Sequence, residues 1–346
     1  MTTPPAGVPR PRGRRGGGRS GSGEALPVPD AEFGSYYGRP VLKAPVWGPG
    51  APGYFFAGGV AAGAAVVAAG ADLTGRPALR RAGRIGSATA LIAGVLALVD
   101  DLGRPARFLY MLRVAKPTSP MSTGTWFLAA FGPAIGVAAV AELVPPAWRA
   151  TWPGRRLGAL ARPAGLVAAL TAPSIATYTA VLLTQTAAPG WNEARDHLPF
   201  VFAGSAAAGG GGLGMVCAPV SEAGPARTFA AIGAAAELVA ARIMERPMEE
   251  VREVYHSGRA GVLRRAAEAA TAAGLLGAVT VAGRSRPAAV VSGLALVAGS
   301  ALQRFGVFEA GVASTRDPRH VVAPQRRRVT RQASSAGQET GAGASG

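Results

Sequence analysis

The sequence predicts an all-α integral membrane protein, an eight-transmembrane-helix bundle over residues 36–308, with disordered basic N- and C-terminal tails at residues 1–35 and 309–346. Three observations predict it. Between the tails lie uncharged apolar stretches, several of which reach the ~20 residues that a helix needs to cross the hydrocarbon of a bilayer. Mean hydropathy is +0.24 over all 346 residues, with only 16% charged, although two polar tails dilute it. The apolar stretches are rich in alanine and in the 49 glycines, a composition that suits closely packed membrane helices.

A net charge of +17 and a pI near 11.4 would otherwise point to nucleic acid. The distribution argues against that. Of the 36 lysines and arginines, seven precede the first apolar run and seven lie from Arg304 onward. The surroundings read as membrane lipid, and no nucleic-acid partner is expected. The single cysteine, Cys217, can neither hold an iron–sulfur cluster nor close an internal disulfide, and it reads as a small buried hydrophobe. His197 precedes a span, His256 sits in a polar loop and His320 lies in the tail, so none is placed to ligate a haem from within the bundle. No haem, iron–sulfur cluster or metal centre of its own is expected.

The elements follow in order. Residues 1–30 are rich in Gly, Arg and Pro and read as disordered. The Arg14-Arg15 pair is followed by no apolar segment until the first span, so it reads as part of a solvated arm rather than an export signal. Residues 36–47, with Tyr36, Tyr37 and Trp47 among prolines, suit an ordered segment at the interface. The first span, 52–71, contains Gly59 and Gly63 in GxxxG spacing, a packing signal. Arg76, Arg80, Arg81 and Arg84 form a basic loop before a short second span, 85–99. A dense stretch, 100–122, leads to the third span, 123–144, which carries Glu142 near its end. The fourth span is placed at 163–184, followed by a loop broken at Pro189-Gly190. The fifth, 198–218, holds Gly209 to Gly212 in a row, which demands either crowding by neighbouring helices or a distorted helix. The sixth, 226–244, has Glu237 near its centre, and the seventh and eighth fall at 263–283 and 287–307.

Eight spans put both termini on one side. That side holds 25 lysines and arginines against 11 on the other, so the positive-inside rule favours cytoplasmic termini in a plasma-membrane protein. Without the tails the loops tie at 11 each.

The loops on the terminal side, 36–47, 100–121, 186–197 and 245–261, are long and rich in aromatics, prolines and charges, whereas the opposite loops are short basic connectors. Function concentrates on such loops, and the terminal face reads as a docking surface with Arg104, Arg107, Arg113, Lys116 and Trp191 as contact candidates. Asp100 and Asp101 stand at a helix C-terminus, where the dipole disfavours an acid by roughly 0.3–1 kcal/mol. Two readings stay open for them: an interfacial ion cluster with Arg104, or carboxylates that pass protons at the membrane edge. Glu237 demands protonation, a water cavity or a partner from another span, because Arg242 is poorly placed on the same helix. Glu142 either snorkels or marks, with Glu237, a proton route across the bundle. Tyr178 is an aromatic-belt residue or a hydrogen-bond donor to a buried carbonyl.

Three segments carry a resemblance: YFFAGGVAAGA at residues 54–64, DLGRPARFLYMLRVAKPTSPMS at 101–122 and YTAVLLTQTAAPGWNEARDHLPFVFAGSA at 178–206, with YHSGRAG at 255–261 similar too. Over residues 36–308 the chain resembles the polysulfide reductase NrfD family. The resemblance implies an eight-helix, cofactor-free quinone-binding subunit in a formate dehydrogenase-like or polysulfide reductase-like complex. Its partners would be a four-cluster ferredoxin-like iron–sulfur subunit and, beyond it, a molybdopterin catalytic subunit. Menaquinone or ubiquinone would bind near the terminal face, with Tyr178 as a contact and Asp100, Asp101 and Trp47 as further ones. Two other readings compete. One is a transporter with a midplane site at Glu237 and a broken fifth span, although the two halves show no inverted repeat. The other is a purely structural anchor.

Overall fold

The computed structural model describes residues 41–101 and 110–322. Its long helices are α1 (Gly50–Leu73), α2 (Pro77–Asp101), α3 (Pro120–Leu143), α5 (Trp152–Thr184), α7 (Leu198–Cys217), α8 (Gly224–Glu245), α10 (Gly258–Thr280) and α11 (Arg286–Ser314). The single turns α4 (Pro146–Arg149), α6 (Pro189–Asn192) and α9 (Glu253–His256) lie between them, and no strand occurs among the described residues. Six helices, α1, α2, α3, α5, α7 and α11, are long and apolar enough to cross a membrane. The chain is a multi-pass, all-helical membrane protein. α8 and α10 have comparable lengths, 22 and 23 residues, but charges interrupt their apolar stretches: Arg227, Glu237, Arg242 and Glu245 on the first, Arg259, Arg264, Arg265 and Glu268 on the second.

Helix ends depart from those read off the apolar runs, because capping and proline placement set them rather than charge. α5 begins eleven residues before the expected 163, where the Thr151 hydroxyl accepts from the Gly154 N–H (3.3 Å) and a proline occupies the first turn. It continues through Pro163 and Pro173 for 33 residues. α2 likewise starts at Pro77, takes Arg80, Arg81 and Arg84 into the helix, and at 25 residues is not a short span. α11 runs to Ser314, seven residues beyond the expected end at 307. The N-terminal 40 residues and residues 323–346, to which most of the expected tail disorder belongs, lie outside the described residues.

The centre of the bundle is α7, against which α1, α8 and α11 pack. Its glycine row resolves the choice between crowding and distortion in favour of crowding, since α7 is one continuous helix. Each glycine meets a neighbour. Gly210 faces the backbone of α1 at Gly63, and Gly209 faces Val60 of α1 and Ser300 of α11. A Cβ on Gly211 would come 2.6 Å from the Ala226 carbonyl oxygen of α8, and one on Gly212 2.7 Å from that of Gly293 in α11. Four interior glycines cost a helix about 0.8–1 kcal/mol each relative to alanine, and three helices packed at backbone distance offset it. The unbroken α7 also removes the broken helix that the transporter reading required.

The terminal end is closed by α6. Trp191 is fully buried, donates from Nε1 to the Val307 carbonyl (2.8 Å), stacks on Trp47 (centroids 5.9 Å apart) and packs against Phe308. Tyr255 of α9 donates to the Gly190 carbonyl (2.6 Å), and the Gly190 N–H donates to Ser314 Oγ (2.9 Å). Burial pushes the Tyr255 phenol well above its ordinary pKa, so it stays a neutral donor. Cys217, expected to be buried, is instead exposed as the last residue of α7.

The close approach predicts a sharp contrast between glycines. Gly210→Val forces a side chain into the α1 backbone and is expected to destabilise by about 1–3 kcal/mol or more. Gly136→Ala, in open space, should be neutral or mildly stabilising. Thermal unfolding of the detergent-solubilised chain measures both; equal midpoints would contradict the packing.

Candidate functional site

Two polar arrangements stand near the terminal end. The first is a tyrosine pair. Tyr54, buried on the second turn of α1, and Tyr178, half-buried on α5, share a hydrogen bond between their hydroxyls, with rings edge to face at 6.5 Å. Tyr178 lies six residues before the end of α5, about 9 Å along the helix axis. Its ring lies against Gly124 of α3, where any Cβ would collide with it. The sequence supplies that seat with a glycine one turn into a helix whose start is fixed by Ser119, Pro120 and Ser122. Ser122 Oγ in turn donates to the Val114 carbonyl (2.8 Å) and accepts from the Lys116 N–H (2.9 Å), which ties the 114–119 turn to α3.

Tyr178 therefore lines a groove between α3 and α5, together with Pro117, Thr123, Phe127, Thr177 and Val181. A more apolar groove adjoins it through Pro117, Thr123 and Phe127, and extends past Lys116 and Trp126 to Ala130 and Thr171. The pair uses one hydroxyl hydrogen to join its two oxygens, which leaves the other available as a donor. An elongated apolar cleft with a single phenol at its terminal end can hold a flat ring bearing a carbonyl and an apolar tail.

The second arrangement is a buried charge pair. Arg304 of α11 is 0% exposed. Its guanidinium donates to the carbonyls of Phe202 (2.7 Å) and Phe55 (3.3 Å) and lies 3.8 Å from the centroid of the Phe202 ring. Gly59 of α1 leaves room for it: a Cβ there would come 2.8 Å from Arg304 Nη2. The charge facing it is Glu237 of α8, also buried, which lies beside Ser205. The two form no direct ion pair, and Glu237 Oε2 and Arg304 Nε have no hydrogen-bond partner. Each charge buried alone would cost several kcal/mol; the opposite charge, two carbonyls and an aromatic face offset that. Glu237 lines a cavity that reaches the terminal side past Glu245, Arg264 and the Arg242–Glu268 ion pair (2.7 Å). Glu245 is itself buried and bonded to Arg264 and to His256 Nε2 (2.8 Å).

The remaining residues singled out in the sequence fall as follows. Asp101 accepts from the Gly48 N–H (2.8 Å) and so ties the start of α1 to the end of α2, while Asp100 is exposed. Trp47 stacks on Trp191 rather than reaching the Tyr178 groove. Trp191, expected on the docking surface, is a core residue, because its indole is covered by Trp47, Phe308 and α11. Arg113 and Lys116 are exposed, the former over the Tyr110 ring. Arg104 and Arg107 lie outside the described residues. Glu142 is buried at the opposite end, bonded to Arg80 (2.8 Å) and Arg84 (3.0 Å); it and Glu237 line separate cavities that share no residue. Among the described residues no three His, Cys, Asp or Glu side chains are grouped to hold a metal ion.

Sequence reasoning missed Arg304 by counting it with the basic tail. Its signal was its setting, a lone cation after the uncharged run 287–303 and before the apolar turn 305–308. Gly59, read as a helix-packing glycine, lies against Ala206 of α7 and also makes room for Arg304, while Gly63 meets the α7 backbone directly.

A helical membrane protein with an apolar cleft and a phenol at its terminal end is thus defined. The sequence model of the family described as polysulphide reductase, NrfD, matches residues 41–224, more than half of the chain. The protein belongs to the polysulphide reductase NrfD family. The match includes Tyr54, Tyr178 and both grooves, and ends before Glu237, residues 255–261 and Arg304. Comparison with curated proteins gives no match.

The charge pair makes a test of its own. Arg304→Met leaves Glu237 without its cation and is expected to cost about 3–5 kcal/mol. Adding Glu237→Gln should recover part of that loss. Thermal unfolding of both variants decides it; additive losses would show that the two side chains do not interact.

Proposed function

We propose that this chain is the membrane anchor and quinone-interacting subunit of an oxidoreductase complex, passing electrons between a partner iron–sulfur subunit and the quinone pool. The observation that carries the reading is Tyr178: a phenol already bonded to Tyr54, set at the terminal end of an apolar groove in the segment that matches the family. Menaquinone or ubiquinone is the substrate, with its tail along Phe127 and Trp126 and one carbonyl accepting from the Tyr178 hydroxyl. The quinone accepts two electrons and two protons, or its quinol gives them up. Tyr178 holds the ring in place and polarises the carbonyl without changing its own charge.

The electron partner is a four-cluster ferredoxin-like subunit on the terminal face, with a molybdopterin subunit of the formate dehydrogenase or polysulfide reductase kind beyond it. The exposed Arg113 and Lys116, beside the groove, are the contacts this arrangement favours, with Arg104 and Arg107 in the same loop. Asp100, exposed at the end of α2, serves proton exchange at the membrane edge, whereas Asp101 is committed to Gly48. We place α8 and α10 across the membrane with the other six, because the charges of α8 apart from Glu237 lie near its ends, those of α10 are confined to its first half, and both helices pack along the bundle. The 25 basic residues on the terminal side against 11 opposite favour cytoplasmic termini in the plasma membrane. The cavity from Glu268 and Glu245 down to Glu237 supports a proton route that enters from the terminal face.

Binding of a fluorescence-quenching quinone analogue to the reconstituted chain tests the site. Tyr178→Phe should weaken it about three- to tenfold, the value of one hydrogen bond. Gly124→Val should weaken it comparably by displacing the Tyr178 ring. Undiminished affinity in both variants would place the site away from Tyr178, and no binding to the wild-type chain would leave a purely structural anchor. In the same vesicles, carrying the whole complex, Glu237→Gln should spare analogue binding and impair charge translocation; unimpaired translocation would exclude the route.

A further inference from the structure

The end of the bundle away from the quinone groove holds a second site. A cavity between the C-termini of α1 and α3, the start of α2 and the first turns of α5 is lined by Arg80, Arg84, Arg149, Arg155 and Arg162 against only two carboxylates, Asp72 and Glu142. Those carboxylates are taken up by three of the arginines: Asp72 bonds Arg84 (3.1 Å), Arg80 (3.3 Å) and Arg162 (3.8 Å), and Glu142 bonds Arg80 and Arg84. Arg149 donates only to the carbonyls of Val144 (2.9 Å) and Glu142 (3.4 Å), and Arg155 to that of Ala150 (2.6 Å). Three positive charges are therefore left over in one concave site. The first turn of α5, at Gly154, adds the positive end of a 33-residue helix to the same wall.

The site has a definable depth. Trp148 and Trp152, 43% and 63% exposed, flank it in sequence, and the Arg156 guanidinium lies 4.9 Å from the Trp152 ring. Exposed tryptophans at the ends of spanning helices mark the headgroup level of a bilayer. The cavity includes Val144 and Leu157, and within one helical turn of them Val140, Leu143 and Leu160 present exposed apolar side chains along α3 and α5. A positively charged concavity at headgroup level with an apolar surface beside it matches a phosphate that carries acyl chains.

We propose that this cavity binds a phosphate-bearing anion, supplied in the membrane by the headgroup of an anionic phospholipid. Arg149 and Arg155 grasp the phosphate at the rim, Arg84 fixes the floor through its two carboxylates, and the acyl chains lie along Val140, Leu143 and Leu160. The bound lipid offsets part of the excess charge where α2, α3 and α5 meet.

The test uses the full chain purified in detergent and offered equimolar phosphatidylglycerol and phosphatidylcholine, with retained lipid read by native mass spectrometry. The variant Arg149→Gln with Arg155→Gln leaves the Asp72–Arg80–Arg84–Glu142 network intact. Wild type is expected to retain phosphatidylglycerol selectively, and the variant to lose about tenfold of that selectivity, the scale of a lost charge-assisted hydrogen bond. Equal retention of the two lipids by wild type excludes the lipid as the source of the anion, and unchanged selectivity in the variant overturns the proposal. A second arm follows thermal unfolding with inorganic phosphate in place of lipid. A rise in wild type with phosphatidylglycerol alone assigns the site to lipid. A rise with inorganic phosphate that the variant lacks supports the anion site and assigns it to the free ion. No rise with either overturns it.

Discussion

Where Gly210 of α7 meets Gly63 of α1, the backbones run so close that neither helix could carry a side chain at that point. The same holds on the other faces of α7, at Gly211 against α8 and Gly212 against α11. A helix with no side chains along its middle cannot be stabilised by its own propensity. It is held by dispersion contacts with the three helices around it. That constraint places the rest. With α1, α8 and α11 locked to one axis, Tyr54, Glu237 and Arg304 come from three separate helices into the same end of the bundle, and Phe202 of α7 supplies both the carbonyl and the ring that receive the guanidinium.

The two ends of the molecule then differ in chemistry. The terminal end gathers a phenol pair, a charge pair without direct contact, and a carboxylate held by Arg264 and His256. Buried atoms without a hydrogen-bond partner remain there on Glu237, Arg304, Thr179 and His320. At the opposite end, arginines outnumber carboxylates in one cavity, and the proposed lipid headgroup would meet that excess. Apolar packing joins the two ends, so the proposed quinone site at one and the proposed lipid site at the other are connected by the same packed helices.

Much of this was legible in the sequence, and the reasons for the rest are physical. Uncharged runs identify the spans because the bilayer tolerates little else, and Gly209 to Gly212 announced that something must press on the fifth of them. Helix ends were misplaced wherever arginines lie within a helix: Arg155 and Arg162 of α5 point outward, so charge says nothing about where the backbone stops coiling, whereas Thr151 and Pro153 do. Trp191 was read as a surface aromatic because its neighbours Asn192, Glu193 and Arg195 are polar; burial followed from a fold-back onto α11 that no local pattern encodes. Arg304 was hidden for the converse reason: it falls near the end of the eighth span, three residues before 307, and was counted with the basic residues that follow, whereas the helix runs on to Ser314 and leaves it well inside. Tyr178 was placed near the terminal face, but its partner Tyr54 lies 124 residues away in the chain, and its glycine seat on α3 could come only from the packed structure.

The central claim is that quinone binds between α3 and α5 with its head at Tyr178. Photo-crosslinking the reconstituted chain with an azido-quinone, followed by mass spectrometry of the labelled peptides, tests it most directly. The account predicts label on residues 117–127 and 174–185, lost when excess unlabelled quinone competes. Label confined to α8, α10 and α11, around the Glu237 cavity, would contradict it.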